Sequence, residues 1–165
     1  MKKTPLFKFA LREDLVGDKR FLPTRATPRS SGWDVRCAQE NREPLVIRPG
    51  QYVRIPLGFR ILPPTGWWLE LKPRSSTFAK KFLNSLYGTI DNDFSGSAMM
   101  AVQYIPDISS LGKDLVLEFG EAIGQLIPIK LKEMEIVEIS NTEYNELRAQ
   151  EDNIRGAGGW GSTSK

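Results

Sequence analysis

The segment from Tyr87 to Gly96 carries the side chains in this sequence that are best suited to chemistry. It reads YGTIDNDFSG and places two carboxylates, Asp91 and Asp93, beside the aromatic ring of Phe94. Carboxylates of this kind are ionised at neutral pH, and a plain Asn-Gly turn would need neither the acids nor the ring. The same residue types also build ordinary surface turns, and the segment by itself does not separate the two carboxylates.

Apolar runs flank this segment on both sides. Residues 83–90 and 98–105 predict the two strands of a hairpin whose tip carries the acids and the ring. Alternation along the first strand puts Asp91 on the face opposite Ile90. Gly88 inside the strand is typical of a place where a ligand or another backbone approaches closely.

Two more segments carry polar side chains that a plain sheet protein does not need. Asp34 stands in SGWDV, where alternation with Val35 predicts a half-buried strand. Arg74, Ser75 and Ser76 stand in PRSS, at the predicted start of a helix, where hydroxyls, free N–H groups and an arginine can bind a phosphate. An outward-facing strand residue and an ordinary helix cap are the structural alternatives.

A glutamine interrupts an aliphatic segment further along the chain. Residues 122–131 predict a strand on which Gln125 shares one face with Ile123, Ile127 and Ile129. An amide in such a row must find hydrogen-bond partners or cost stability. A satisfied core amide is one interpretation, and proximity to a ligand or to a subunit contact is the other.

The Gly-rich end of the chain, residues 154–165, reads IRGAGGWGSTSK. It combines exposed backbone N–H groups with Arg155, Trp160 and the hydroxyls of Ser162 and Thr163. It is not a Walker A loop, because no Gly-Lys-Ser/Thr follows the glycines. A disordered terminus is the usual outcome of such composition, whereas the tryptophan favours an arm that closes over something.

Composition excludes several classes of function. The net charge of +3 arises from 23 basic and 20 acidic residues spread along the 165-residue chain, so no nucleic-acid partner is indicated. The chain has no histidine, which excludes His-based triads, His general bases and His metal sites. Cys37 is the single cysteine, so no internal disulfide forms and a reducing, cytoplasmic compartment is expected. No apolar run is long enough to span a membrane.

Short apolar stretches separated by Gly and Pro predict an all-β sandwich or barrel. One short helix is expected after Pro73, with Ser75 or Ser76 as its N-cap. Residues 12–31 are expected to form a surface loop, and residues 141–153 either a short helix or an extended linker. The other strands are predicted at residues 6–11, 31–38, 67–72, 115–119 and 134–139.

The five polar segments, in this order, resemble the five motifs of the trimeric deoxyuridine triphosphatases (dUTPases). The resemblance runs from about residue 31 to residue 163 and rests on SGWDV, PRSS, YGTIDNDFSG, GEAIGQLI and RGAGGWGST. It implies an all-β, jelly-roll-like β-sandwich of the dUTPase β-clip type, assembled as a homotrimer with sites at the subunit seams. Residues 1–154 would form this domain, and residues 155–165 an arm that closes over a neighbouring active site.

The resemblance implies hydrolysis of dUTP to dUMP and pyrophosphate with Mg²⁺. This reaction would keep uracil out of DNA and supply dUMP for dTMP synthesis. Asp91 would be the general base, which leaves Asp93 as a turn or support residue. Asp34 would contact the magnesium ion through water, as suits a hard ion that keeps several waters.

The resemblance also assigns the substrate contacts. Main-chain groups around Gly88 and Met99 would read the uracil, with Ser85 and Ile90 beside them, and Phe94 would lie under the deoxyribose. The arm would place Trp160 on the uracil, and its other groups would hold the γ-phosphate. The full set of substrate-binding residues implied is Arg74, Ser75, Ser76, Ser85, Gly88, Ile90, Phe94, Met99, Gln125, Arg155, Trp160, Gly161, Ser162 and Thr163.

The sequence departs from the common family pattern at a few positions. Trp33, Phe94 and Trp160 stand where tyrosine, tyrosine and phenylalanine are usual, so each position keeps an aromatic ring. Ala122 stands where an arginine is common, and Ser164-Lys165 replaces a usual glycine. These last differences concern phosphate binding.

Three other interpretations compete with the resemblance to the dUTPases. The dCTP deaminases share the fold, but they need a glutamate and an arginine where this chain has Ala101 and Ala79. A regulatory binding module and a structural coat domain are the others, and the coat domain leaves Arg74, Asp91 and Gln125 unexplained. The compact length suits a bacterial or a viral enzyme, the latter working in the host cytoplasm.

Overall fold

Antiparallel strands dominate the computed structural model, which describes residues 4–150. The strands are β1 (Lys8–Leu11), β2 (Trp33–Arg36), β3 (Leu45–Ile47), β4 (Tyr52–Pro56), β5 (Phe59–Leu62), β6 (Trp67–Pro73), β7 (Leu83–Ser85), β8 (Gly88–Ile90), β9 (Met99–Tyr104), β10 (Leu115–Leu117) and β11 (Ala122–Lys130). The helices are α1 (Ser75–Ala79) and α2 (Asn141–Ala149), with 3₁₀ turns at Glu13–Leu15, Lys19–Phe21 and Ile108–Ser110. In this part of the chain no helix is long and apolar enough to cross a membrane.

The strands form a four-stranded sheet, a three-stranded sheet and two strand pairs. Their orders are β2-β11-β6-β8, β4-β9-β7, β1-β5 and β10-β3. Side chains from both larger sheets, among them Val35, Leu71, Met100 and Val102, meet in one buried apolar cluster. This arrangement confirms the all-β prediction, since each sheet buries one face.

The chain divides into two compact units, residues 1–132 and residues 133–165. The eleven strands and α1 belong to the first unit, and α2 belongs to the second. The predicted arm, residues 155–165, lies outside the described residues, so its boundary at 154/155 stays a prediction. The predicted contacts of Arg155, Trp160, Gly161, Ser162 and Thr163 therefore also stay predictions.

The predicted hairpin strand at residues 83–90 is wrong, because these residues form two strands in different sheets. β7 pairs with β9, and β8 pairs with β6. Leu83 and Ile90 are both buried, with exposures of 0% and 7%. Their spacing of seven residues would place them on opposite faces of one continuous strand, and the break after Ser85 lets both reach the core.

The predicted surface loop at residues 12–31 is also corrected. Its two 3₁₀ turns bury Leu15 and Phe21, which pack with Ala38 in a second, smaller apolar cluster. Arg12 ties the loop down, since its Nη1 donates to Ala38 O over 2.7 Å. The loop is thus a packed part of the first unit.

The segment after β11 departs from the prediction in a different way. Residues 131–140 have no regular secondary structure, so the strand predicted at residues 134–139 is absent. Met134, Ile136 and Val137 are 79%, 83% and 81% exposed. A strand needs a partner, and no strand of residues 4–150 pairs with this segment. The open choice for residues 141–153 is settled for 141–149, which form α2 with Ser140 Oγ accepting from Glu143 N.

Candidate functional site

Three sequence-predicted residues from three separate segments meet at one end of the four-stranded sheet. Gln125 on β11 lies opposite Asp34 on β2, and its Nε2 donates to Pro73 O over 3.1 Å. Arg74 follows β6 directly, and its Nε lies 3.3 Å from Asp34 Oδ1. We call Asp34, Arg74 and Gln125 the arginine cluster. Asp34 is therefore the partner of the guanidinium, and Gln125 contacts the backbone at the residue before Arg74.

A bulge in β11 fixes the backbone beneath this cluster. The strand register shifts between Ala122 and Gly124, which brings Ile123 and Leu126 into the core and leaves Gln125 half-buried. The prediction that Gln125 shares a face with Ile123 is therefore wrong. The carbonyl of Ile123 accepts from Thr77 Oγ1 over 2.6 Å and from Arg74 N over 3.4 Å.

Thr77 is a supporting residue that the sequence did not reveal. Its side chain is fully buried on α1 and ties this short helix to β11. The N-cap of α1 is Arg74, and no side chain caps it, so the prediction of Ser75 or Ser76 as N-cap is wrong. The hydroxyls of both serines are consequently not used as caps and stay available to a ligand.

Two glycines make the cluster possible. A Cβ on Gly32 would lie 2.0 Å from Gln125 Oε1, so only glycine lets the amide lie against this backbone. A Cβ on Gly124 would lie 2.9 Å from Met100 Sδ and 3.2 Å from Lys72 O. Both positions stand within the segments that carry the resemblance, and steric crowding explains why no side chain is tolerated there.

A cleft opens beside the arginine cluster and carries excess positive charge. Lys81 pairs with Glu121, and Arg36 Nη1 donates to Gly120 O over 2.9 Å. Four cations and two carboxylates face this cleft, which suits a polyanionic ligand. The sequence did not single out Arg36, Lys80 or Lys81. The lining residues are Asp34, Arg36, Arg74, Ser76, Lys80, Lys81, Glu121 and Ala122.

The second group of predicted residues surrounds the turn between β8 and β9, residues 91–98, which we call the Asp91 turn. Asp91 and Phe94 are exposed, the latter by 46%, and Met99 at the start of β9 is 48% exposed. Ile90 is buried, so only its main chain can reach a ligand. Ser85 Oγ donates to the neighbouring Leu86 O over 3.0 Å.

Residues outside the predicted set hold the backbone of this turn. Asn92 Nδ2 donates to Pro64 O over 3.0 Å and to Trp67 O over 2.9 Å. A Cβ on Gly96 would lie 2.6 Å from Phe94 Cζ, so the ring rests against bare backbone. Asp93 is exposed and has no side-chain hydrogen bond within residues 4–150, so the support residue is Asn92 rather than Asp93.

The arginine cluster and the Asp91 turn lie far apart in one chain. On β6, Leu69 is opposite Ile90, whereas Pro73 is opposite Gly124. Asp91 is one step beyond Ile90, and Arg74 is one step beyond Pro73 in the opposite direction along the sheet. At about 3.3 Å per residue, six positions of strand separate them by roughly 20 Å. None of residues 85–99 lines the cationic cleft.

The donors present fit magnesium only as a water-mediated contact. Residues 4–150 contain no group of three or more His, Cys, Asp or Glu side chains that could hold a metal ion. The Asp34 side chain is 19% exposed and forms an ion pair with Arg74. A single carboxylate at a cleft suits an ion that arrives with its phosphate ligands and keeps several waters.

The cysteine takes no part in this chemistry. Cys37 is fully buried in the main apolar cluster. Burial, with a smaller contribution from the charge of Glu121, raises the pKa of its thiol to about 12. The thiol is therefore protonated at neutral pH, which excludes it as a nucleophile.

Similar proteins of the same name occur in several bacteria. A sequence model of the dUTPase family matches residues 18–163. The deoxyuridine 5′-triphosphate nucleotidohydrolase of Hydrogenobaculum sp. (strain Y04AAS1) is 33% identical over 158 residues, which is 93% of each chain. The enzyme of the same name from Maricaulis maris (strain MCS10) is 32% identical over 144 residues, or 86% of each chain.

Solved structures agree with the sequence relatives. The dUTPase of Streptococcus mutans is 27% identical, with a TM-score of 0.65 over 78% of this chain and 98% of its own. A variant of the Staphylococcus bacteriophage 80alpha dUTPase, solved with dUpNHpp, is 18% identical, with a TM-score of 0.71 over 96% of this chain and 98% of its own. The all-β, dUTPase-like β-clip prediction is thereby confirmed. The chain belongs to the dUTPase family.

Proposed function

We propose that this member of the dUTPase family hydrolyses dUTP to dUMP and pyrophosphate, by attack of a water that Asp91 activates on the α-phosphorus. Family membership supports the substrate and the reaction. The observation that carries the proposal is the convergence of Asp34, Arg74 and Gln125 beside a cationic cleft. Core packing alone does not explain why polar side chains from three separate segments meet there.

The triphosphate binds at the arginine cluster in this proposal. The Arg74 guanidinium lies beside Asp34 and lines the cationic cleft, where a guanidinium can bind phosphate oxygens in a bidentate manner. Ser75 and Ser76 add hydroxyl donors, and Gln125 assists beside them. Magnesium bound to the triphosphate would neutralise part of its charge, with Asp34 holding the hydrated ion through water.

The nucleoside binds at β8 and the adjoining turn. β8 is the edge strand of its sheet, so backbone groups of Gly88 and Ile90 that face away from β6 are available to the uracil edge. Ser85 and the main chain of Met99 complete the reading of the base. A fixed pattern of donors and acceptors rejects cytosine, and a closed pocket rejects a 5-methyl group. Phe94 packs under the deoxyribose and leaves no room for a 2′-hydroxyl.

The bond changes balance without a further reactant. The water oxygen bonds to the α-phosphorus, and its proton passes to the Asp91 carboxylate. The bond from the α-phosphorus to the bridging oxygen breaks, and pyrophosphate leaves with that electron pair. A positioned general base typically contributes about 10²–10⁴-fold.

Each complete site combines different copies of the chain. A base must lie within hydrogen-bond reach of the attacking water, and that water lies beside a phosphate held by Arg74. The separation of roughly 20 Å between Asp91 and Arg74 in one chain does not permit this. We therefore propose a homotrimer in which Arg74 of one copy faces Asp91 of the next. The arm of a third copy, with Arg155, Trp160, Gly161, Ser162 and Thr163, closes the site.

A substrate screen tests the proposed reaction. Pyrophosphate release is measured for the purified protein with Mg²⁺ and dUTP, dTTP, dCTP or UTP. We expect turnover of dUTP and sparing of the other three, because each differs at a group that the nucleoside site reads. Turnover of dTTP at a similar rate would overturn the substrate assignment. Removal of Mg²⁺ by a chelator is expected to abolish the activity.

The physiological role follows from this reaction as a proposal. Removal of dUTP keeps uracil out of DNA, and the dUMP formed supplies dTMP synthesis. A cytoplasmic location also remains a proposal, consistent with a single cysteine, Cys37, held as a thiol. Cell fractionation with an antibody to the chain would test it.

A further inference from the structure

The side-chain amide of Asn92 joins the Asp91 turn to a second turn between β5 and β6. Both contacts run from Nδ2 to main-chain oxygens, over 3.0 Å to Pro64 O and 2.9 Å to Trp67 O. An amide nitrogen has two N–H groups, so both donors are used. Asn92 is half-buried, whereas its neighbours Asp91 and Asp93 are exposed.

The second turn is a firm support. Trp67 N donates to Pro64 O over 3.1 Å, and Gly66 takes a φ of 79°, as glycine does at the third position of a type II turn. Gly66 O accepts from Leu131 N over 2.8 Å at the end of β11. The two oxygens that receive Asn92 are therefore part of a hydrogen-bonded turn anchored to the sheet.

The Asp91 turn has little else to hold it. Within residues 4–150 the Asp91 side chain has no hydrogen bond or ion pair, and its carbonyl accepts one bond, from Phe94 N over 3.2 Å. The direction of the carboxylate thus depends on the backbone between Ile90, which is fixed in β8, and Asn92, which is fixed by its amide.

We propose that Asn92 is a positioning residue that aims the Asp91 carboxylate, acting through Pro64 O and Trp67 O. The proposal rests on the proposed role of Asp91 as general base. Removal of the amide frees the turn, and a misplacement of about 1 Å in a reacting group can cost on the order of 10²-fold in rate. Asn92 touches neither the nucleoside groups at Gly88 and Met99 nor the arginine cluster, so substrate affinity is preserved.

Steady-state kinetics of Asn92→Ala and Asn92→Asp with dUTP test this role. Asn92→Asp keeps the side-chain volume but replaces both donors with an acceptor that faces carbonyl oxygens. Both variants are expected to lower kcat by roughly 10- to 100-fold with KM changed less than about threefold. Asn84→Ala is the matched control, since Asn84 is an exposed residue of β7 without a side-chain hydrogen bond in residues 4–150; its kcat is expected to equal that of the wild type.

A double-variant cycle separates positioning from a general loss of structure. In the Asp91→Asn background, Asn92→Ala is expected to cause no further loss of turnover, because the group it aims is gone. Losses that multiply in the double variant would overturn the proposal. So would a rise of KM for dUTP with kcat unchanged, or wild-type kcat in Asn92→Ala.

Hydrogen exchange supplies a readout that does not need turnover. The Phe94 amide bonds to Asp91 O inside the turn, so its exchange rate in the ligand-free protein reports how firmly the turn is held. Asn92→Ala is expected to speed this exchange roughly tenfold or more, and Asn84→Ala to leave it unchanged. If the wild type does not hydrolyse dUTP, the proposed function fails. Independently of that result, an unchanged exchange rate of the Phe94 amide in Asn92→Ala would show that Asn92 does not hold the turn. Asn92→Ser, with one donor, is expected to fall between wild type and Asn92→Ala in both measurements.

Discussion

The arginine cluster and the Asp91 turn are held in opposite ways. In the cluster the proposed phosphate-binding side chains have partners of their own, since Arg74 pairs with Asp34 over 3.3 Å and Gln125 bonds to Pro73 O over 3.1 Å. In the turn Asn92 bonds to the neighbouring backbone, while Asp91, the proposed base, is exposed and its carboxylate has no partner among residues 4–150.

This difference fits the two proposed roles, phosphate binding at the arginine cluster and base catalysis at Asp91. A phosphate-binding arginine is most useful when its geometry is set before the ligand arrives, because less side-chain entropy is lost on binding. A base that serves a neighbouring copy must instead be presented outward on a stiff backbone. In the proposed trimer, the arginine cluster is therefore formed within one chain, and Asp91 is presented to a neighbouring copy.

The largest effect is expected at the unpartnered carboxylate. Asp91→Asn keeps the shape of the side chain and removes its ability to take a proton, so kcat should fall about 10²–10⁴-fold. Binding of dUTP should persist, as measured by calorimetry. Asp93→Asn on the same turn is the control and should retain wild-type turnover. Equal losses in the two variants would remove Asp91 as the specific base.

A smaller effect, mainly on affinity, is expected at the arginine cluster. Arg74→Ala removes charge-assisted hydrogen bonds to phosphate, each of which contributes about 1.5–3 kcal/mol, so KM for dUTP should rise at least tenfold. Arg54→Ala, on the exposed face of β4, serves as the control for loss of one positive charge. A loss of kcat with unchanged KM would mean that the cluster does not bind the ground-state triphosphate.

Thr77, beneath the arginine cluster, is expected to contribute chiefly to the free energy of unfolding. Thr77→Val keeps the volume but removes the 2.6 Å bond to Ile123 O, which then keeps only the 3.4 Å bond from Arg74 N. The loss of one such hydrogen bond costs about 0.5–1.5 kcal/mol of unfolding free energy. Urea unfolding measures this loss, with the exposed Thr142→Val on α2 as the control. Wild-type stability in Thr77→Val would show that this hydrogen bond does not hold α1 against β11.

The smallest effect concerns a carboxylate outside both regions. The hydrogen bond from Arg12 lowers the pKa of Asp14 from 3.8 to about 2. Because the folded pKa lies below the unfolded value, this stabilisation is present above pH 3.8 and is lost as the pH falls toward 2. Asp14→Asn should therefore show a weaker dependence of unfolding free energy on pH in that window. An identical acid dependence in wild type and variant would contradict the assignment.

The sequence predicted the strands and candidate residues that can be recognised from residues close together in the chain. Alternation located β2, β6 and β11, and short polar segments identified Asp34, Arg74 and Gln125 as candidates before their contacts were known. The break between β7 and β8 was within reach as well, because Leu83 and Ile90 cannot share a face of one strand.

The supports could not be predicted, because their partners are remote in sequence. Thr77 bonds to a carbonyl 46 residues away, and Asn92 bonds to one 28 residues away. A buried threonine and a turn asparagine have many ordinary uses, so their residue types carry no such signal. The strand predicted at residues 134–139 is absent for a similar reason, since a strand forms only with a partner that the local sequence pattern does not reveal.

Mixing two impaired variants, assayed at dUTP concentrations far below the wild-type KM where Arg74→Ala is also slow, tests most directly whether the two regions of different copies form one site. Asp91→Asn and Arg74→Ala are unfolded together in equal amounts and refolded, and native mass spectrometry verifies mixed trimers. Random assembly gives each site an intact Asp91 in half of the cases and an intact Arg74 from another copy in half, so activity should recover to about a quarter of the wild-type rate. Verified mixed trimers with no activity above the sum of the two variants would contradict the shared site.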